Sequence, residues 1–293
     1  TVSPATAINT CTVNSPCVIN GSFSITSSGT AINRVLLTSP TLGTPSTITL
    51  NSFGTTSDID FRDITITGAA AGTTITRGGD LGGNSGVVLS SPKTVYWNLA
   101  GSQNWNANGW ALTSGGTPAT ANYPLGQDTA IIDNNSAGTN ITFNSQFFIG
   151  TVDMSARTSA LTITWSNTPS CCGSWKFGTG ITNSSTSGIV FTNRTPQTIT
   201  SNGLAFVGVV NINCIGTKIT LNDAFTTSAA AAGAFTLTYG TLDLNGKTLT
   251  LSASATATFL IAVGTKNITF NGGTIVIAAS GTTAFNNAQP TGF

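Results

Sequence analysis

Short runs that alternate apolar residues with hydroxyl or amide residues recur along the chain, most regularly over residues 188–279. Examples are Gln197-Thr198-Ile199-Thr200, Lys218-Ile219-Thr220-Leu221 and Lys247-Thr248-Leu249-Thr250-Leu251. A period of two is typical of a β-strand with one buried face. No window shows the 3.6-residue period of an amphipathic helix, so the chain is predicted to be all-β.

Asn-Gly pairs stand between several of these runs, at Asn202-Gly203, Asn245-Gly246 and Asn271-Gly272. Both residue types tolerate positive φ, so the backbone is expected to turn there. Strands this short bury their apolar faces by stacking on one another, which predicts a β-helix or solenoid. The intervals are irregular, thirty residues from Ile219 to Leu249 and nineteen from Leu249 to Ile268, so a β-sandwich is kept as the alternative.

Composition divides the chain into three regions. We predict a strand-rich N-terminal region over residues 1–92, a Trp-rich junction or cap over 93–133, and a solenoid-like repeat region over 134–293 that continues beyond the sequence given. The junction holds Trp97, Trp105 and Trp110, three of the five tryptophans. These rings are interpreted either as a platform that stacks on sugars or as a cap on the open end of the strand stack. The cap is favoured because the strand pattern resumes directly afterwards.

The low charge of the chain limits its possible partners. Charged residues make up 6% of it, against about 25% in ordinary domains. No stretch of about 18 apolar residues exists, so membrane insertion is not expected. The net charge of +1 provides no basic surface for nucleic acid. A chain rich in Thr, Asn and Gly indicates a protein of the virion surface or the extracellular space.

The acidic residues give little support for catalysis. The chain has no His and no Glu, which excludes His-based acid–base chemistry and His-containing triads. Asp58 and Asp60 are predicted to share a strand face about 7 Å apart, a spacing that suits a glycosidase but also occurs in any Asp-x-Asp strand. The chain is therefore predicted not to be an enzyme, with a glycan depolymerase as the minor alternative. No cofactor and no metal site is predicted, because the glycine-rich residues 78–86 lack the Lys-Ser/Thr of a P-loop.

Two tryptophans and two cysteines are the candidate site residues. Trp165 and Trp175 lie outside the junction and are candidate glycan- or receptor-binding residues if exposed; packing in the core is the alternative. Cys11 and Cys17 flank turn-forming residues and are a candidate disulfide. The sequence leaves open the pairing of the three other cysteines, Cys171, Cys172 and Cys214.

The junction also carries a resemblance. Its string YWNLAGSQNWNANGW at residues 96–110, followed by Ser-Gly-Gly at 114–116, Pro124 and an Asp-x-Ala-x-x-Asp pattern at 128–133, resembles a segment of phage tail and fibre proteins and of large bacterial adhesins. Residues 57–68 and 79–86 before it, and 197–203 and 240–250 after it, resemble the flanking segments in virion proteins of marine phages, especially cyanophages. The resemblance covers roughly residues 57–251.

This resemblance implies a non-enzymatic virion structural protein with β-helical repeats, a tail fibre or appendage involved in host attachment. It implies a homo-oligomer, commonly a trimer, that contacts other virion proteins and a host-surface glycan or receptor. It assigns no catalytic residue. A bacterial surface adhesin or an extracellular filament subunit is the alternative, because the same motifs occur there.

Overall fold

The computed structural model describes residues 9–25, 32–185, 187–229, 233–252, 258–278 and 284–288. Within these ranges the one helical element is a 3₁₀ turn, Thr120–Asn122, and the other elements are strands. The strands form a β-solenoid of about 11 turns, which confirms the predicted solenoid rather than the sandwich. No helix in the described ranges is long and apolar enough to cross a membrane. The predicted regions also include residues 1–8, 230–232 and 289–293, which lie outside those ranges.

The solenoid contains two units with separate apolar cores. In the first unit, every pairing between strands is parallel, and the sheets run β1-β3-β5-β8, β2-β4-β6 and β7-β9. Its strands are β1 (Asn9–Thr12), β2 (Cys17–Ile25), β3 (Val35–Thr38), β4 (Ser46–Thr56), β5 (Ile59–Arg62), β6 (Ile64–Thr67), β7 (Thr73–Thr74), β8 (Gly79–Asp80) and β9 (Val87–Val88).

The second unit is longer. Its strands are β10 (Thr94–Trp97), β11 (Gly101–Asn104), β12 (Trp110–Ala111), β13 (Thr129–Ile131), β14 (Gly138–Phe143), β15 (Phe148–Ile149), β16 (Thr151–Asp153), β17 (Leu161–Trp165), β18 (Ser170–Cys171), β19 (Trp175–Lys176), β20 (Ile181–Ser185), β21 (Ile189–Phe191), β22 (Gln197–Thr200), β23 (Ala205–Phe206), β24 (Val210–Leu221), β25 (Phe225–Thr227), β26 (Phe235–Asp243), β27 (Thr248–Leu251), β28 (Phe259–Ile261), β29 (Lys266–Thr269), β30 (Thr274–Ile277) and β31 (Phe285–Asn287).

These strands form three parallel faces around the core. Face 1 runs β10, β13, β16, β19, β22, the second halves of β24 and β26, and β29. Face 2 contains β11, β14, β17 and β20, then β23, β25, β27 and β30 in later turns. Face 3 runs β15, β18, β21, the first halves of β24 and β26, β28 and β31. Most turns take 22 residues, as from Thr129 to Thr151, up to 26, as from Thr241 to Asn267.

The alternating sequence pattern places one side chain in two inside each turn. In β17 the burial alternates strictly, with Leu161, Ile163 and Trp165 buried. Each fully buried side chain of this size stabilises the fold by roughly 1.5–3 kcal/mol relative to its exposed state. The outward positions hold mainly Thr, Ser and Asn, so a chain with few charges still covers its apolar interior.

The Trp-rich junction forms the first turn of the second unit. Trp97, Trp105 and Trp110 are at most 1% exposed, and their rings pack edge to face, 5.0 Å and 4.7 Å between centroids. Strand β12 pairs antiparallel with β10, opposite Trp97, and so covers its outer edge. The sugar-platform interpretation is wrong, because no ring face is exposed; the rings close the N-terminal end of the core. The boundaries at residues 92 and 133 stay a prediction.

The first unit lies alongside the second and runs in the opposite direction. The Asp80 amide donates to the Gln127 side chain at 2.8 Å, and Arg194 donates to Asp63 at 2.5 Å. Gly43 lies against Ile215, where a Cβ would come within 2.6 Å of Cδ1. Contacts that move backward through the first unit therefore move forward through the second.

All five cysteines are thiols, so the predicted Cys11–Cys17 disulfide is absent. The two residues lie in different sheets, Cys11 opposite Leu37 and Cys17 opposite Ile48, rather than as a facing pair. Partial burial and the neighbouring Cys17 raise the pKa of the Cys11 thiol. Burial also raises the pKa of Cys172 to about 11, which keeps it protonated at neutral pH.

Candidate functional site

The nine aspartates are all engaged in structural contacts. Six pair with Lys or Arg: Asp58, Asp60, Asp63, Asp128, Asp153 and Asp243. Three accept hydrogen bonds from backbone amides at turns: Asp80, Asp133 and Asp223. Carboxylates that already hold turns and balance cations are poorly placed for hydrolytic chemistry. The described residues also contain no group of three His, Cys, Asp or Glu that could hold a metal ion.

The Asp58/Asp60 pair is brought together, but around cations. Asp58 and Asp60 are 0% and 2% exposed. Arg34 Nη2 lies 2.8 Å from Asp60 Oδ1, and Arg77 Nε and Nη2 lie 2.5 Å and 2.6 Å from the two oxygens of Asp58. Burial raises the pKa of Asp58, but the hydrogen bonds and charges of Arg77 and Arg34 outweigh it and leave the pKa below its usual value. Burial raises the pKa of Asp60, yet the same burial keeps a substrate away.

The two candidate tryptophans are core residues. Trp165 and Trp175 are 4% and 0% exposed. Trp165 stacks on Phe143 at 4.9 Å and lies 5.1 Å from the Trp175 ring. This burial contradicts the exposure that glycan stacking requires, and the core-packing alternative describes both residues.

A different feature is exposed: a glycine ladder along the corner between faces 3 and 1. A Cβ at Gly150 would lie 2.0 Å from the Asp128 carbonyl oxygen, and one at Gly240, where φ is +87°, would lie 2.1 Å from that of Cys214. Only glycine fits such approaches without a shift of backbone. The corner therefore carries few side chains and forms a groove floor. The glycines on it are Gly126, Gly150, Gly173, Gly216, Gly240 and Gly264.

The deepest part of this corner is a cavity of about 750 Å³ lined by residues 194–196, 215–218, 240–241 and 265–267. We call it the corner groove. It crosses four successive turns, which at about 4.8 Å per turn gives a length of roughly 14 Å between the outer two. A second cavity of about 320 Å³ shares Arg194 and Thr195 and continues toward Gln127, beside Leu81 of the first unit.

Three cations line the corner groove. Arg194 pairs with Asp63 at 2.5 Å, and Lys218 pairs with Asp243 at 2.8 Å while its side chain stays 47% exposed. The Lys266 ammonium donates to the carbonyl oxygens of Ala262 and Gly264, and burial lowers its pKa. The cations outnumber the two carboxylates that pair with them. Arg and Lys also carry more donors than these contacts use, so N–H groups remain for a ligand.

The rest of the lining is uncharged. It contains Thr195, Thr217, Thr241, Thr265 and Asn267, with no aromatic ring and no carboxylate. Without a ring, sugar stacking is not available to this groove, and recognition depends on hydroxyl, amide and cationic groups. Such a lining suits an extended, polar ligand that carries negative charge.

None of the groove residues was singled out from the sequence. A signal was present: Gly followed by Thr at 216, 240 and 264, each 24 residues apart, with Gly-Thr at 150 and Gly-Ser at 173. The intervals between strands hide this repeat, because the segments between corners differ in length.

No protein-family model, curated protein or solved structure matches the chain. The functional interpretation of the corner groove therefore depends on its geometry and chemistry.

Proposed function

We propose that this chain is a non-enzymatic structural and attachment protein of a virion, a tail fibre or appendage that binds a host-surface glycan along its corner groove. The observation that carries the proposal is the groove itself. It is open, follows the solenoid axis over four turns, and presents hydroxyl, amide and cationic donors. Those donors match the hydroxyl and carboxylate groups of an acidic glycan, and several sugar rings fit along its length.

The state of the carboxylates supports binding without hydrolysis. A glycosidase needs two carboxyl groups that face the scissile bond. The lining of the corner groove has none, and Asp58 and Asp60 are buried around Arg34. A reducing-sugar assay on the bound glycan is expected to show no release; release that is lost in Asp58→Ala would support the depolymerase instead.

The binding test compares two lysines of the groove with one outside it. Acidic and neutral oligosaccharides are titrated by calorimetry against the full chain. Acidic chains are expected to bind, and the Lys218→Gln, Lys266→Gln double variant to bind at least about tenfold more weakly, because charge-assisted hydrogen bonds contribute about 1.5–3 kcal/mol each. Lys247→Gln, outside the groove lining, is the matched control and is expected to bind normally. Equal affinities in all three proteins would refute the groove as the binding site.

Location separates the virion protein from its alternative. Antibody labelling is expected to decorate purified virions, at a fibre or appendage. Labelling of a bacterial cell surface, with none on virions, would favour the adhesin or filament subunit, for which the same fold and groove are suitable.

A further inference from the structure

The C-terminal end of the second unit presents open strand edges. In the described part of the chain, β29 pairs only with β26, β30 only with β27, and β31 only with β28. All three faces of the solenoid therefore end in a strand with one side available for pairing. Such edges are templates for another strand.

The apolar core reaches this end without a cover. Seven large apolar side chains are exposed among the described residues, and four lie between residues 263 and 285: Val263, Phe270, Val276 and Phe285. The rings of Phe235, Phe259 and Phe285 stack at 5.3 Å and 5.7 Å, nearly parallel, and the stack stops at Phe285, which is 53% exposed. The core is thus cut in cross-section at this end.

The opposite end of the same unit is built differently. There β12 covers the edge of β10, and the buried Trp97, Trp105 and Trp110 fill the interior. The two ends are therefore not equivalent, and only the C-terminal one offers both open edges and an open core.

Charge is also missing from this end. Residues 267–293 contain no Asp, Glu, Lys or Arg. Natural sheets place charges on exposed edges to prevent edge-to-edge pairing. Without them, nothing electrostatic repels an identical end.

We infer that this end is a homotypic interface, which receives the C-terminal end of a second copy about a two-fold axis. A partner must offer three strand edges around an apolar centre of the same outline. In a pure preparation that surface exists on a second copy, and on its C-terminal end, since the other end is closed by tryptophans. A two-fold axis perpendicular to the solenoid makes identical edges meet antiparallel and buries both exposed Phe285 rings. This inference goes beyond the proposed function and does not depend on the groove.

The test is the mass of the full chain in solution. Sedimentation equilibrium is expected to show a concentration-dependent dimer of twice the 29.7 kDa chain mass. Val276→Lys and Phe285→Lys, which place a charge on the edge and at the core, are each expected to weaken dimerisation at least about tenfold. Val18→Lys, at a 63% exposed position of the first unit, is the matched control and is expected to dimerise normally.

A second readout does not depend on variants. Hydrogen exchange of the unmodified chain is expected to slow in β29, β30 and β31 as concentration rises, with no change in β14 or β17. A monomer at all concentrations, a trimer, or a dimer that survives both lysine variants would overturn the inference.

Discussion

Arg34 joins neighbouring turns of the first unit through buried polar contacts. Its guanidinium donates to Asp60 and to the carbonyl oxygens of Ile59 and Arg77, and it lies 3.7 Å from Asp58. Arg77 covers the other side of Asp58. Charges buried this deeply are tolerated because each has several partners. The stability of this cluster therefore depends on its being complete.

Removal of one carboxylate should have a large effect. Asp58→Ala leaves Arg34 buried with less compensating charge, and loss of a buried partner typically costs about 3–5 kcal/mol. We expect urea denaturation to show a loss of that size. Lys176→Ala is the matched control: its pair with Asp153 is partly exposed, 36% and 19%, and such pairs contribute about 1 kcal/mol or less. Equal losses in the two variants would contradict the structural role assigned to Asp58.

At this scale the sequence predicted what is local. The Asn-Gly turns are confirmed, since Asn202, Asn245 and Asn271 have φ of 51°, 48° and 47°. The Asp58/Asp60 geometry was wrong, because Asp58 also has positive φ, 59°, and lies at a corner before β5 rather than in the strand. Its cationic partner Arg77 is 19 residues away, and no local pattern indicates such a partner.

At the scale of single elements, the corners are as constrained as the strands. Gly240 and Gly216 occupy the same corner in adjacent turns and both have positive φ, +87° and +71°. At Gly240 a Cβ would collide with backbone, whereas at Gly216 nothing lies within 4 Å. The two positions therefore separate steric collision from backbone strain.

Alanine substitutions at these corners should differ. Gly216→Ala is expected to cost about 1–2 kcal/mol, the strain of a left-handed conformation. Gly240→Ala adds a collision with the Cys214 carbonyl and is expected to cost clearly more, by roughly 2 kcal/mol or above. Chemical denaturation of both variants measures the difference. Similar losses would mean that the corner relaxes easily around an added methyl group.

The strands themselves could be predicted because their period-two pattern is local. Their partners could not, because each strand pairs with one 22 to 26 residues away and the loop lengths vary. Trp165 and Trp175 show the same limit: a Trp in an alternating run is consistent with either face, and the register with Phe143 decides that they are buried.

At the scale of the whole molecule, the two units are connected by few but well-placed polar contacts. Gln127 accepts from the Asp80 amide and donates to the carbonyl oxygens of Gly78 and Ser90. One side chain thus satisfies three backbone groups of the first unit.

Loss of this side chain should loosen the contact between units. In Gln127→Ala, we expect the Asp80 amide to exchange with solvent at least about tenfold faster, since its acceptor is removed. Exchange in the core strands β14 and β17 should not change. The experiment is hydrogen exchange read by mass spectrometry or NMR. Uniformly faster exchange across the chain would indicate general destabilisation instead.

The side-by-side arrangement of the units could not be predicted from the sequence. It depends on outward-facing residues that look solvent-exposed in the pattern, such as Leu36 and Arg62. In the structure Leu36 is 3% exposed, and Arg62 lies over the Phe148 ring at 5.8 Å. A period-two pattern tells which residues face outward but not whether another unit covers them.

The fold-back of the first unit also affects the order of folding. Each turn of the solenoid contacts a neighbour some 22 to 26 residues away, so turns can form one after another as the chain is made. Asp63, however, meets Arg194 across 131 residues, which takes roughly 7 to 26 seconds at about 5–20 residues per second on a ribosome. During that interval the flank around Leu36 faces the cytosol. A chaperone or a neighbouring nascent chain meets that flank before the second unit does.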